Sequence, residues 1–133
     1  MPVVVDSSIA ACWAMPDEFS ATANRTLDIL TSDIMLVPTI FWYEIRNVLL
    51  VNERRQRISQ EHGVLALQKI DEMPRIEDGT HSSDTTMTLA RRHALTVYDA
   101  AYLELALRHS AALATLDTSL ATAARNESIP VIG

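Results

Sequence analysis

The chain has 133 residues, of which 48% are hydrophobic, and a formal net charge of −6 at pH 7. This length predicts one domain, residues 1–133, that buries a core without disulfides or structural metal. Cys12 is the only cysteine, which excludes an intrachain disulfide and favours a reducing, cytoplasmic location. The first residues lack the regions of a secretory signal, and no segment reaches the ~18 apolar residues of a membrane span, so we expect neither export nor membrane insertion.

The negative charge disfavours a generic nucleic-acid binder, because affinity for a phosphate backbone comes mostly from Lys and Arg. Lys69 is the only lysine, which leaves little basis for mechanisms that need a Schiff-base or P-loop lysine. If the protein acts on nucleic acid, other positive charges must therefore assist binding.

Strands and helices are predicted to alternate along the chain. The first half is predicted to hold a strand at 3–5, a helix starting at the Ser-Ser pair after Asp6, a helix at 20–30, a strand at 34–37 and a helix capped by Thr39 that runs to about residue 57. The second half is predicted to hold a helix at 58–73 capped by Ser59, a weak strand at 75–78, helices at 83–93 and from near Asp99, and strands at 112–116 and 129–132. This alternation favours an α/β fold whose parallel sheet is covered on both faces, with a site beyond the carboxyl ends of the strands.

Two acidic residues follow directly on predicted buried strands. Asp6 comes after the run Val3 to Val5, and Asp117 comes after the strand at 112–116. Both side chains are therefore expected at the edge where open α/β sheets place their sites. Each Asp alone is equally compatible with a helix N-cap, where a negative charge suits the helix dipole.

Glu44 is predicted to lie among apolar residues of the helix that follows Thr39. Ile40 and Val48 are one turn before and one turn after it, and the buried stripe is predicted to comprise Ile40, Phe41, Ile45, Val48 and Leu49. An unpaired charge there costs several kcal/mol or shifts its pKa, so a compensating group is expected. A metal ion is one candidate, and a salt bridge to Arg46 or Arg54 is the alternative.

Asp99 opens the segment DAAYLELAL and is compatible, by itself, with a first-turn acid that supports the helix dipole. The joint arrangement is more informative, because Asp6, Asp99 and Asp117 fall at strand ends or helix starts while Glu44 faces inward. Such a carboxylate cluster is difficult to maintain without cations. The sequence therefore predicts a metal site formed by these four acids, which are also the candidate catalytic residues.

Oxygen-only ligands favour Mg²⁺ or Mn²⁺ over zinc, which prefers His and Cys. One or two ions are expected, and two would change the net charge from −6 to −2. Two such ions activate a water and stabilise the leaving oxygen during in-line attack on a phosphodiester. Ser8 and Thr115 carry hydroxyls near the acids and are candidates to orient water or support the ligands.

Four segments resemble the acidic blocks of bacterial VapC toxins, in the same order and at matching distances. They are VVVDSS, WYEIRNVLL, TVYDAAYLELAL and LATLDTSLA, which contain Asp6, Glu44, Asp99 and Asp117 respectively. The resemblance covers nearly the whole chain and implies a PIN-like three-layer α/β/α sandwich with a mainly parallel sheet of about five strands. It also implies a Mg²⁺- or Mn²⁺-dependent endoribonuclease of a toxin-antitoxin pair, a homodimer, and inhibition by a VapB-like antitoxin. Thr115 matches a hydroxyl position that supports the site in that family.

Several basic and aromatic residues are secondary candidates. The exposed groups Arg54, Arg55, Arg91 and Arg92 are candidate contacts for RNA phosphate, although charge clusters are more often solvated surface. The four histidines have no metal-ligand spacing. Trp13, Trp42 and Tyr43 are able to stack on bases, but packing in the core or between subunits is the commoner use.

Three other functions remain as alternatives. A catalytically degenerate PIN domain would bind RNA or protein without cleavage, but the presence of all four acids argues against it. An aspartyl phosphatase would need a second Asp two positions after Asp6, where Ser8 stands. A direct DNA-binding role has no helix-turn-helix signature to support it, so any DNA contact is expected to come from the antitoxin.

Overall fold

The computed structural model describes residues 1–133. Five short strands form its sheet: β1 Val3–Val5, β2 Met35–Val37, β3 Arg75–Glu77, β4 Ala112–Ala114 and β5 Val131–Ile132. Their spatial order is β3-β2-β1-β4-β5, and every neighbouring pair is parallel. Each residue of β1, β2 and β4 is buried, because helices cover both faces of the central sheet.

Seven helices complete the fold: α1 Ser7–Ala14, α2 Ala21–Ile29, α3 Ile40–Arg54, α4 Gln60–Asp71, α5 Ser83–His93, α6 Val97–His109 and α7 Thr118–Asn126. Helices α1 to α4 pack against one another, whereas α5 and α7 both pack against α6, which also contacts the central strands. The predicted three-layer α/β/α architecture with a five-stranded sheet is confirmed. None of these helices combines the length and hydropathy that crossing a bilayer requires.

Some predicted boundaries were wrong by a few residues. Helix α3 ends at Arg54 rather than near residue 57, because Gln56 adopts a left-handed backbone with φ of 59°. Thr39 precedes α3 but its side chain makes no capping hydrogen bond. Helix α6 begins at Val97, before Asp99, because the Thr96 side chain caps it by accepting a hydrogen bond from the Asp99 backbone N–H.

The strand order explains where a site is expected. The chain runs from central β1 to β2 and β3 on one side, and then returns to β4 and β5 on the other. The connections leaving β1 and β4 therefore diverge and open a crevice at the carboxyl ends of these two strands. Asp6 follows β1 directly, and Thr115 follows β4.

Candidate functional site

Asp6 joins the ends of the two central strands. Its backbone N–H donates to the carbonyl oxygen of Ala114 at 3.2 Å, which continues the β1–β4 pairing past the last residue of β1. The carboxylate is only 5% exposed, and its Oδ2 accepts a hydrogen bond from the Thr115 hydroxyl. Its Oδ1 accepts from Ser8 Oγ at 2.5 Å and from the Ile9 backbone N–H at 3.2 Å. Asp6 thus caps α1 and also faces the crevice.

Ser8 and Thr115 connect the two strand ends through their hydroxyls. Besides donating to Asp6, Ser8 Oγ accepts a hydrogen bond from the Leu116 backbone N–H at 2.9 Å. Thr115 Oγ1 likewise accepts from the Asp117 backbone N–H at 3.0 Å. Both hydroxyls therefore fix the carboxylate of Asp6 relative to the segment that carries Asp117, which places these two predicted supporting residues at the acidic site.

Asp117 is the exposed member of the acidic set. It is the N-cap of α7, and its Oδ1 accepts a hydrogen bond from the Leu120 backbone N–H at 3.0 Å. The other carboxylate oxygen accepts no hydrogen bond from the protein. Capping and ligand binding are therefore compatible at this residue, because each uses a different oxygen.

Glu44 lies at the border of the buried stripe of α3 rather than within it. The buried residues of this helix are Phe41, Ile45, Leu49 and Asn52, whereas Glu44 and its neighbours one turn away are only partly buried. Its Oε1 accepts a hydrogen bond of 2.6 Å from the hydroxyl of Tyr102, which is 1% exposed. The predicted alternative of a salt bridge is wrong, because Arg46 pairs with Asp71 instead and Arg54 forms no ion pair. A neutral hydroxyl from α6 is thus the partner of Glu44.

The four acids are electrostatically coupled. Burial raises the pKa of Asp6 above its ordinary value, and the hydrogen bonds from Ser8 and Thr115 oppose this effect. Burial also raises the pKa of Glu44; the Tyr102 hydrogen bond opposes this, and the charges of Asp99 and Asp6 add to it. For Asp99, burial and then the charge of Asp117 raise the pKa. The carboxylates of Asp6, Glu44, Asp99 and Asp117 therefore form an unbroken series of repelling neighbours.

The chemistry of these residues fits a hard divalent cation. None of the four acids forms a salt bridge with Lys, Arg or His, so their negative charge is uncompensated by the protein. Carboxylate and hydroxyl oxygens are the donors that Mg²⁺ and Mn²⁺ prefer. No three Asp, Glu, His or Cys side chains converge on one point closely enough to hold an ion in this arrangement. The four acids thus share one electrostatic environment, while their side chains stay apart.

None of the four predicted arginines forms an ion pair or a hydrogen bond with the acids of this site. Arg54 and Arg55 are exposed at the C-terminal end of α3, and the ten residues from Glu44 to Arg54 span about 15 Å of helix. Arg91 and Arg92 are exposed at the end of α5, and Arg92 is bound to Glu127 at 2.7 Å. The structure therefore does not bring these four side chains to the carboxylates.

Two residues that the sequence analysis missed lie at or beside the site. Tyr102 is the donor to Glu44, and its position three residues after Asp99 on the same helix face was an available signal. Arg125 lines a cleft together with Thr115 and Asp117, and no local pattern pointed to it.

None of the four histidines forms a hydrogen bond or an ion pair with the four acids. His62 contacts the carbonyl oxygen of Ala14, whereas His93 and His109 contact carboxylates elsewhere in the chain. Trp42 and Tyr43 are 43% and 60% exposed, so they do not pack in the core of this chain, and packing between subunits stays a prediction.

Comparison with known proteins assigns the fold to a family. The family described as PIN domain matches residues 3–126. Ribonuclease VapC3 from Pyrobaculum aerophilum is 30% identical over 128 residues, a match that covers 91% of this chain and 93% of that protein.

Solved structures show the same architecture. A crystal structure of a Pyrobaculum aerophilum protein has a TM-score of 0.74 at 22% identity and covers 99% of this chain and 84% of that chain. The structure of VapBC2 from Rickettsia felis, bound to a DNA fragment from the promoter, has a TM-score of 0.68 at 12% identity and covers 98% and 97% of the two chains. Together with the family match over residues 3–126 and the VapC relative, these likenesses show that the chain belongs to the PIN-domain family, as a VapC-type member.

Proposed function

We propose that this protein is a Mg²⁺- or Mn²⁺-dependent endoribonuclease toxin of a toxin-antitoxin pair. The observation that carries the proposal is the series of four coupled carboxylates without basic partners at the crevice between β1 and β4. The 30% identity to Ribonuclease VapC3 supports RNA as the substrate.

Asp6, Glu44, Asp99 and Asp117 would hold one or two cations. When bound, the cations supply an activated water and stabilise the charge that develops during phosphodiester hydrolysis. The hydroxyls of Ser8 and Thr115 hold the Asp6 carboxylate, and the hydroxyl of Tyr102 holds that of Glu44. Because these donors are buried or partly buried, they fix the orientation of the carboxylates before substrate arrives.

The same carboxylates control when RNA is able to approach. At pH 7 the chain carries −6, and its four site acids repel a phosphate backbone. Two bound cations would reduce the net charge to −2 and would place the positive charge where the scissile phosphate must lie. Metal loading is therefore expected to precede RNA binding.

We also propose that the protein forms a homodimer in the cytoplasm and is inhibited by a VapB-like antitoxin. The similar structure from Rickettsia felis is named VapBC2 and is bound to a DNA fragment from the promoter. A basic segment of a partner would fit the acidic site by charge. A short open reading frame beside this gene that encodes an Arg-containing segment would support the partner assignment.

The test is cleavage of total RNA with Mg²⁺, with Mn²⁺ and with chelator, followed by mapping of the new RNA ends. We expect discrete cleavage sites with either cation, none with chelator, and none for Asp99→Asn, since a neutral amide is a poor ligand for these ions.

Asp84→Asn is the matched control, because Asp84 is likewise an acid in the first turn of its helix but lies outside the acidic site. This variant should cleave as the unaltered protein does and should equally inhibit growth. RNA binding without cleavage by the unaltered protein would instead identify a degenerate PIN domain.

A further inference from the structure

Nearly half of the basic side chains of this protein are already paired with carboxylates of the same chain. Five of the eleven Lys and Arg side chains form ion pairs: Arg46, Arg57, Arg75, Arg92 and Arg108. The six that form none are Arg25, Arg54, Arg55, Lys69, Arg91 and Arg125. Since an RNA phosphate competes poorly with an existing carboxylate partner, a phosphate contact is expected from a cation without one, provided that it lies beside the acidic site.

Arg125 is the available cation that shares a cleft with the acidic site. The cleft has a volume of about 420 Å³ and lies beyond the ends of β4 and β5. Thr115 and Asp117 line it at the acidic site, and Arg125 lines it further along α7. Asp117 is the only side chain of the cleft that carries a carboxylate.

The helix geometry directs Arg125 towards the acids. Thr118, Thr122 and Arg125 have the spacing i, i+4, i+7 and therefore share one face of α7, which forms a wall of the cleft. Asp117 caps the N-terminus of this helix, about 12 Å along the axis from Arg125. Side chains of a helix lean towards its N-terminus, so the long Arg125 side chain leans towards Asp117.

We propose that Arg125 binds a phosphate of single-stranded RNA that flanks the phosphate to be cleaved, and thereby positions the substrate in the cleft. The inference rests on the proposed ribonuclease function. The side chain is exposed, and neither an ion pair nor a hydrogen bond within the protein holds its guanidinium. Its charge suits the last turn of α7, and this effect leaves its N–H donors free to bind phosphate. A guanidinium binds phosphate through two parallel hydrogen bonds, which suits it to orient the backbone as well as to attract it.

The proposal is tested by the binding of a fluorescein-labelled single-stranded RNA that spans a mapped cleavage site, with Asp99→Asn as the background that prevents cleavage. We expect Arg125→Ala to weaken binding about five- to tenfold near 0.15 M salt. The slope of log K against log salt should fall by about 0.7, the value for one phosphate contact on a single strand. Arg125→Lys, which keeps the charge, should recover part of the affinity and of the slope.

Lys69→Ala is the matched control, because Lys69 is also exposed and forms no ion pair, yet it lies on α4 outside the cleft. This variant removes the same charge and should bind as the Asp99→Asn background does. In the protein with all four acids, Arg125→Ala should raise KM more than it lowers kcat, since the contact is made before and during the reaction.

Five results would overturn the inference. Unchanged binding by Arg125→Ala, or an equal loss in Arg125→Ala and Lys69→Ala, would show that Arg125 makes no specific phosphate contact. A loss of self-association in Arg125→Ala with RNA binding intact would assign the cleft to a second copy of the chain. If the unaltered protein neither binds nor cleaves RNA with Mg²⁺, the ribonuclease proposal itself fails, whereas normal cleavage by both variants overturns only the role of Arg125.

Discussion

Replacing Thr115 by valine tests the structural basis of the acidic site most directly. The Thr115 side chain is 5% exposed, and valine has nearly the same shape but no hydroxyl. The change leaves Oδ2 of the buried Asp6 without its donor and the backbone N–H of Asp117 without its acceptor. A hydrogen bond to a charged group contributes about 1.5–3 kcal/mol and a neutral one about 1 kcal/mol. The free energy of unfolding should therefore fall by about 2.5–4 kcal/mol at pH 7.

The measurement is urea unfolding at pH 7 and at pH 3, with Thr115→Ser as the control. The serine variant keeps the hydroxyl and loses one methyl group, which costs about 1 kcal/mol. Because Asp6 is protonated at pH 3, the valine deficit should shrink there, whereas the serine deficit should not. For a domain of this size we also expect the midpoint of thermal unfolding at pH 7 to fall by roughly 8–15 °C for Thr115→Val.

Equal stability of the valine variant and the unaltered protein would refute the reasoning, since it would show that the buried carboxylate does not depend on this donor. An equal loss in the serine and valine variants would also refute it. That result would attribute the effect to the methyl group and not to the hydroxyl.

Further measurements test the partners and the charge of the site. Tyr102→Phe removes the hydroxyl that donates to Glu44, so we expect the free energy of unfolding to fall by about 1–2 kcal/mol and the pKa of Glu44 to rise further. NMR titration measures this pKa, and an unchanged value would contradict the contact. Burial raises the pKa of Asp99, so the metal-free folded protein binds more protons at this carboxylate than the unfolded chain does. The stability that Asp99 contributes is therefore present below its ordinary pKa of 3.8 and is lost as pH rises through its pKa in the folded protein. In calorimetry without metal, the Asp99→Asn variant should therefore have the same stability as the unaltered protein at pH 3 and a higher stability at pH 7. Adding Mg²⁺ should stabilise the unaltered protein more than the variant. A variant that is less stable at pH 7 would show that the site is not strained by its own charge.

The sequence by itself determined the local elements and which acids follow them. The run Val3 to Val5 predicted a buried strand because β-branched residues without polar alternation suit a strand covered on both faces. The same pattern placed Asp6 and Asp117 beyond strand ends, and the Ser59 cap and the helix at 83–93 were confirmed for the same local reason. Four acidic blocks in order then sufficed to predict the family, because spacing along the chain is itself a property of the sequence.

Only the tertiary structure decided which groups pair across the chain. Thr115 and Asp6 are 109 residues apart, and Tyr102 and Glu44 are 58 residues apart, so neither contact leaves a periodic signal in the sequence. The order of the strands brings the first pair together at the β1–β4 crevice, and the fold brings one residue of α6 and one of α3 within hydrogen-bond distance in the second. The tertiary structure also decided which arginines are paired with carboxylates of the same chain. Arg92, which the sequence nominated for RNA, pairs with Glu127. Arg125, which no sequence pattern indicated, lies in the cleft beside Asp117 without an ion pair. Ion pairs form between neighbours in space, so the sequence alone does not show which arginines are paired.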